Sequence, residues 1–204
     1  PDFDEAIRLN PGYLHAFNQR GVAYFKKGRY DRAIRDYDEA IRLNPKLPHA
    51  FNIRGFAYYN NGQYDRAIQD FDEAIRLDPW EPYAFQSRGR AYFYSNRFSN
   101  ARADFYKAME LNPWDAYTVL WLYLAQARDG KEGRGELEKN LARLDLQDWP
   151  RPIFSLYLGK TTPEAVLAAA RDADQKKERE KQCQAYLFLG QYALVQENRI
   201  EAVR

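Results

Sequence analysis

A chain of 204 residues with 31 basic and 29 acidic side chains carries a formal net charge of only +2, which gives no reason to expect nucleic acid or an anionic membrane as a partner. A single cysteine, Cys183, excludes an internal disulfide framework and a cysteine-rich metal site. No apolar run approaches the ~20 residues of a membrane-spanning helix, and no signal peptide or lipid-attachment cysteine is read at the start.

In chain order, residues 1–13 read as the end of a helix, Phe3 to Asn10, closed by Pro11. The same phrase then returns with a step of 34: Gly21, Gly55 and Gly89; Phe17, Phe51 and Phe85; Tyr24, Tyr58 and Tyr92; Ala33, Ala67 and Ala101; Tyr37, Phe71 and Phe105; Pro45, Pro79 and Pro113. A fixed step of this size marks stacked repeats. The units run over 14–47, 48–81 and 82–115, each a pair of amphipathic helices joined by a short turn. In the second unit the helices are expected at Pro48–Asn60 and Tyr64–Leu77. Gly28, Gly62 and Asn96 take the turn, where a positive φ is cheapest. The glycine inside each first helix weakens that helix, so it is expected to mark a close approach by the second. Because the first segment falls in phase with a second helix, the chain is expected to open inside a repeat.

Gly-x-Ala-Tyr in each first helix, alanines and aromatics in each second, and a closing Asn-Pro or Asp-Pro resemble the tetratricopeptide repeat. The resemblance covers residues 14–115 without gaps. It implies an all-α, right-handed superhelix of antiparallel helical hairpins that binds a protein or peptide in a concave groove.

After Ala116 the pattern decays into a degenerate hairpin over 116–147, opening with the apolar Leu120-Trp-Leu-Tyr-Leu-Ala125. A linker with short helices follows over 148–178, marked by Trp149-Pro-Arg-Pro152 and by Thr162-Pro163 as a helix start. The charged run Asp172–Lys181 reads as a solvated helix face. Over 179–204, Tyr186, Leu189-Gly190 and Ala202 return to the repeat spacing, so a truncated terminal hairpin is expected. The segments Leu120–Ala125, Trp149–Gly159 and the terminal Leu-Gly-x-Tyr together resemble the second half of NlpI-like bacterial lipoproteins, over about residues 114–204. That resemblance implies an envelope adaptor for cell-wall hydrolases or a protease, with a periplasmic or envelope location and a cytoplasmic one as the alternative.

Four constellations stand out. Arg20, Arg54 and Arg88 precede the helix glycine, and sixteen residues later stand Asp36, Asp70 and Asp104. We expect each arginine to pair with an aspartate of its own repeat or of the preceding second helix, since a buried charge needs a partner; an anion-binding arginine row is the alternative. In the later hairpins Leu122 and Leu189 replace the arginine, with Glu138 in phase on the acid side of the first. The groove set comprises His15, Asn18 and Lys26, then His49, Asn52, Phe56, Tyr59 and Asn60, then Tyr83, Gln86, Arg90 and Tyr94. Val22, Phe25 and Phe93 lie in the same phase. Amides there can bond an extended backbone and aromatic faces can hold side chains or cations, although aromatics in this phase also serve to pack repeats. In the chaperone-tail clamp of this repeat class, lysine and asparagine grip a terminal carboxylate. Here those places carry Asn18, Val22 and Ile53, so that clamp is not met. His15 and His49, repeat equivalents, are too few for a metal site. Trp80 and Trp114, each after a closing proline, are expected to plug the inter-repeat loops, since tryptophan is highly buried on average; an exposed contact patch is the alternative.

No phosphate loop, metalloprotease helix or nucleophile–base pair is present. The expectation is therefore a non-enzymatic scaffold without cofactor or metal, binding protein rather than nucleic acid. Self-assembly through the truncated ends, or service as the targeting arm of a larger enzyme, are the alternatives.

Overall fold

The computed structural model describes residues 2–203, with side chains described through Glu197. The described residues fold into two compact units, one ending at Leu111 and one starting at Asn112.

The first unit holds α1 (Phe3–Leu9), α2 (Leu14–Lys26), α3 (Tyr30–Leu43), α4 (Pro48–Asn60), α5 (Tyr64–Leu77), α6 (Pro82–Tyr94) and α7 (Phe98–Leu111). The pairs α2–α3, α4–α5 and α6–α7 form hairpins, and each hairpin packs on the next through α3–α4 and α5–α6. Proline at the first position starts α4 and α6, where its missing N–H is no loss. The turn residue Gly62 has φ +74°, and Asn96 takes the same place at φ +60°.

The interior of each hairpin is set by one contact. A Cβ on Gly21, Gly55 or Gly89 would lie 2.7, 2.7 or 2.8 Å from the ring of Tyr37, Phe71 or Phe105. Each ring is fully buried and fills the space a side chain would need. Alanines at Ala33, Ala67 and Ala101, all fully buried, let the same helices approach along the crossing.

Beside this contact runs a ladder of charge. Arg54 grips Asp70 with Nε and Nη2 at 2.9 and 2.6 Å, while Nη1 reaches back to Asp38 on α3 at 2.7 Å. Arg88 repeats the pattern with Asp104 at 2.8 and 2.6 Å and with Asp72 at 2.6 Å. Arg20 does so with Asp36 at 2.6 Å and Asp4 at 2.5 Å. Each arginine thus bonds both its own repeat and the preceding helix. The own-repeat aspartate is buried, with Asp70 at 7% side-chain exposure, whereas Asp38 is 48% exposed. Burial works against both charged partners. For Arg54 the bonds to Asp70 and Asp38 prevail and hold the guanidinium above its ordinary range; for Asp70 burial prevails and raises the carboxyl. The ladder stops with the repeats: Leu122 is buried, and Glu138 is exposed and bonded to Lys160.

The second unit holds α8 (Ala116–Arg128), α9 (Arg134–Leu144), α10 (Arg151–Tyr157), α11 (Pro163–Ala169) and α12 (Gln175–Val203). Helix α8 is apolar on all sides and buried from Thr118 to Gln126, as a helix of that pattern must be. Ile153, Phe154, Leu156 and Tyr157 of α10 complete the core with Phe188 of α12, whose carbonyl accepts a hydrogen bond from Tyr157 Oη at 2.9 Å. Gln184 Oε1 accepts from Tyr117 Oη and Trp149 Nε1. Thr162 caps α11 as its sequence predicts.

The expected terminal hairpin is corrected by α12, which runs unbroken from Gln175 to Val203. Gly190 corresponds to Gly21, and the turn residue seven places on, Gly28 in the first repeat, corresponds to Glu197. Glutamate is a helix former with no preference for positive φ, so the helix continues. The Ala202 side chain lies outside the described residues.

Two outcomes are expected in urea unfolding. Gly55→Ala costs about 1–3 kcal/mol, because the ring of Phe71 has no room to move; a loss below about 0.5 kcal/mol would mean the helices can separate freely. Arg54→Met or Asp70→Leu alone costs about 3–5 kcal/mol, the double variant clearly less than the sum, and the half-exposed Asp38→Ala under about 1 kcal/mol. Additive losses for Arg54 and Asp70 would remove the pairing from the energetics.

Candidate functional site

The first helices of the hairpins, α2, α4 and α6, carry the candidate groove residues in phase, and α4 also packs directly on α6. His15, Lys26, His49, Asn60 and Tyr83 are exposed. Asn18, Asn52, Phe56, Tyr59, Gln86, Arg90 and Tyr94 are half-buried.

The amides are the polar centre of this face. The Oδ1 atoms of Asn18 and Asn52 are buried and take no hydrogen bond from any described residue. A carboxamide has two donors and two acceptor sites, and rotation can present either end. Two equivalent side chains, one repeat apart, therefore hold unused bonding capacity at the same height of successive helices. Asn60, by contrast, bonds its own helix, donating to the Phe56 carbonyl at 2.8 Å.

An aromatic cluster with a cation lies one turn further along. Arg90 Nη2 donates to Tyr59 Oη at 3.2 Å, and its guanidinium carbon sits 5.1 Å from the Tyr59 ring centre. Tyr94 lies 5.8 Å from Tyr59 and stacks on Tyr64 at 6.0 Å. Burial pushes the Tyr59 phenol up to about 12, although Arg90 works the other way. The phenol thus stays a neutral donor, and the rings hold the guanidinium in place.

Several aromatics of the set serve packing as well. Phe56 packs edge-on to Phe71 at 5.6 Å and, with Tyr59, joins the core cluster of Ala67, Ile68 and Ala91. Phe25 packs on the equivalent cluster one repeat earlier, and Phe93 is buried. Tyr64, at the start of a second helix, belongs to the cluster but is invisible to a search confined to first helices; its signal is the aromatic recurrence Tyr30, Tyr64, Phe98. The second aspartate of each rung carried a signal too, since Asp4, Asp38 and Asp72 also recur at the step of 34.

The tryptophans do not plug loops. Trp80 is 76% exposed and Trp114 68%. In each case the preceding Asp78 or Asn112 side chain accepts from the tryptophan N–H and the following Glu81 or Asp115 caps a helix, so the backbone is fixed without the indole. Tyr83, next to this turn, is 63% exposed.

Among known proteins, family models described as TPR repeat and tetratricopeptide repeat match residues 21–62, 48–80 and 82–113. No curated protein matches the chain. Among solved structures, the first TPR of Spaghetti (RPAP3) bound to the HSP90 peptide SRMEEVD is 25% identical with a TM-score of 0.56, covering 58% of this chain and 94% of that one. The second TPR domain of human RPAP3, in complex with the HSP70 peptide SGPTIEEVD, is 29% identical with a TM-score of 0.52, covering 55% and 97%. The MamA protein, 19% identical with a TM-score of 0.67 over 70% of this chain and 79% of its own, shares the fold.

Trp80→Ala is expected to change unfolding free energy by no more than about 0.5 kcal/mol, as for a surface site. A plug would lose about 3–5 kcal/mol on the same change.

Proposed function

We propose, from the tetratricopeptide repeats over residues 21–113, that this chain is a protein-interaction scaffold that holds an extended peptide segment of a partner along α2, α4 and α6. The observation that carries the proposal is the pair of in-phase amides, Asn18 and Asn52, whose buried oxygens take no bond from described residues. An extended peptide repeats its backbone groups along its length, and amides repeated along a helix stack can meet them while side chains seek the neighbouring aromatics. The solved neighbours with bound peptides support the reading, since they use the same repeat for a peptide. Their peptides end in EEVD. At the clamp places this chain has Asn18, Val22 and Ile53, none of them cationic, so the partner proposed here is not such a tail.

In its finer form the proposal is an adaptor in a bacterial envelope that docks cell-wall hydrolases or a protease. It rests on the resemblance of residues 114–204 to NlpI-like lipoproteins.

The test is affinity capture from fractionated source-cell extract, comparing the native chain with an Asn18→Ala/Asn52→Ala variant of equal helicity. Each amide bond contributes about 0.5–1.5 kcal/mol, so the captured partner should bind the variant about tenfold more weakly in titration calorimetry. A synthetic SRMEEVD peptide should give no heat of binding. Equal affinity for native and variant chains would remove the amides from the site, and tight SRMEEVD binding would overturn the exclusion of the chaperone tail.

A further inference from the structure

Helix α12 repeats the first helix of a hairpin but lacks the second. Its Gly190 falls in phase with Gly21, Gly55 and Gly89, and Ala185 with Ala16, Ala50 and Ala84. All four alanines are buried, so the inward face of α12 is used as in the repeats. The opposite face is not. Phe17, Phe51 and Phe85 are 6–9% exposed beneath their second helices, whereas their equivalent Tyr186 is 65% exposed. Leu194 is 42% exposed. At Gly190 a Cβ would meet nothing within 4 Å, where the repeat glycines each meet a ring. Tyr186, Leu187, Gly190 and Leu194 lie at helical spacing on one side, and a cleft of about 290 Å³ against Leu167 and Ala168 of α11 adjoins Tyr186.

We propose that this face of α12 is a docking site for an amphipathic helix of a partner protein that carries Ala-x-x-x-(Phe/Tyr)-x-x-Ala, its aromatic ring entering the notch at Gly190. The pattern is the one by which α3, α5 and α7 cover the equivalent face: Ala33, Tyr37 and Ala40; Ala67, Phe71 and Ala74; Ala101, Phe105 and Ala108. Two observations favour a foreign helix. Helix α12 runs straight past Glu197 and does not fold back on itself. The aromatics of α3, α5 and α7 are fully buried, so a second folded copy has none of these rings to offer. Charge adds a direction. Second helices run antiparallel to first helices, which sets the partner's C-terminal half beside Gln175–Lys181, where Lys176, Lys177, Arg179 and Lys181 outnumber Glu178 and Glu180. The partner helix is therefore acidic in its C-terminal half.

The site is separate from the proposed groove, and its test leaves the groove residues untouched. The probe is an end-capped peptide with the sequence of α5, Tyr64–Leu77, titrated against the full chain by calorimetry, with a Phe71→Ala peptide as control. Saturable one-to-one binding is expected, weakened at least tenfold by Tyr186→Asp, by Gly190→Leu and by the control peptide. Gly190→Leu improves helix propensity, so its loss of binding is not loss of folding. Binding unchanged by Tyr186→Asp would place the peptide elsewhere and overturn the proposal. So would the absence of binding at millimolar peptide. A mass in light scattering that doubles with concentration and returns to monomer on Tyr186→Asp, with no peptide binding, would assign the face to a second copy instead.

Discussion

The repeat unit depends on the interlock of a missing side chain with a buried ring. Because Gly55 has no Cβ, Phe71 can lie against the backbone of α4, and that contact fixes how closely α4 and α5 approach. The fully buried alanines Ala57, Ala67 and Ala74 keep the same approach along the rest of the crossing. Once the helices are this close, the arginine before the glycine is set against the aspartate before the ring. The charge pair is a consequence of the interlock rather than its cause, and burial of both partners explains why neither can be left alone. The same geometry turns the far side of each first helix outward, which brings Asn18 and Asn52 into one phase.

The repeat section was legible from sequence to the residue in places: Pro48–Asn60 and Tyr64–Leu77 are helices with those bounds. Three copies of one pattern separate structural positions from chance, and proline and glycine mark the ends. Arg20, Arg54 and Arg88 were legible for the same reason, their regularity standing out against an apolar surrounding. Trp80 was not, because average burial describes a residue type and not a site; whether an indole is covered depends on what neighbours it. The terminal helix misled in a different way. Tyr186 and Gly190 match the pattern, but the turn lies at Glu197, and a match on packing positions says nothing about the residue that must reverse the chain. The groove was half legible. Amides recur visibly, yet Phe56 and Tyr59 occupy the same phase and give part of their surface to the core, since one helix face grades into the next without a boundary in sequence.

The two proposed surfaces differ in chemistry. The face of α2, α4 and α6 is polar and aromatic, with carboxamides that suit the evenly spaced bonds of an extended strand. The outer face of α12 is apolar around a notch, and suits a helix whose bonds are already satisfied within itself. A scaffold with both would engage one segment through its main chain and another through its side chains.

Each rung of the ladder sets one guanidinium against two carboxylates, Arg54 against Asp38 and Asp70, Arg88 against Asp72 and Asp104. A rung is therefore anionic by one unit, and the stack carries a line of surplus negative charge that faces solvent through Asp38 and Asp72, about half exposed. Neighbouring hairpins are joined by a cation that neither owns alone, so loosening one hairpin leaves the next with a less compensated acid. Disorder entering at one end would thus pass from rung to rung, as in a one-dimensional lattice whose sites are coupled only to their neighbours.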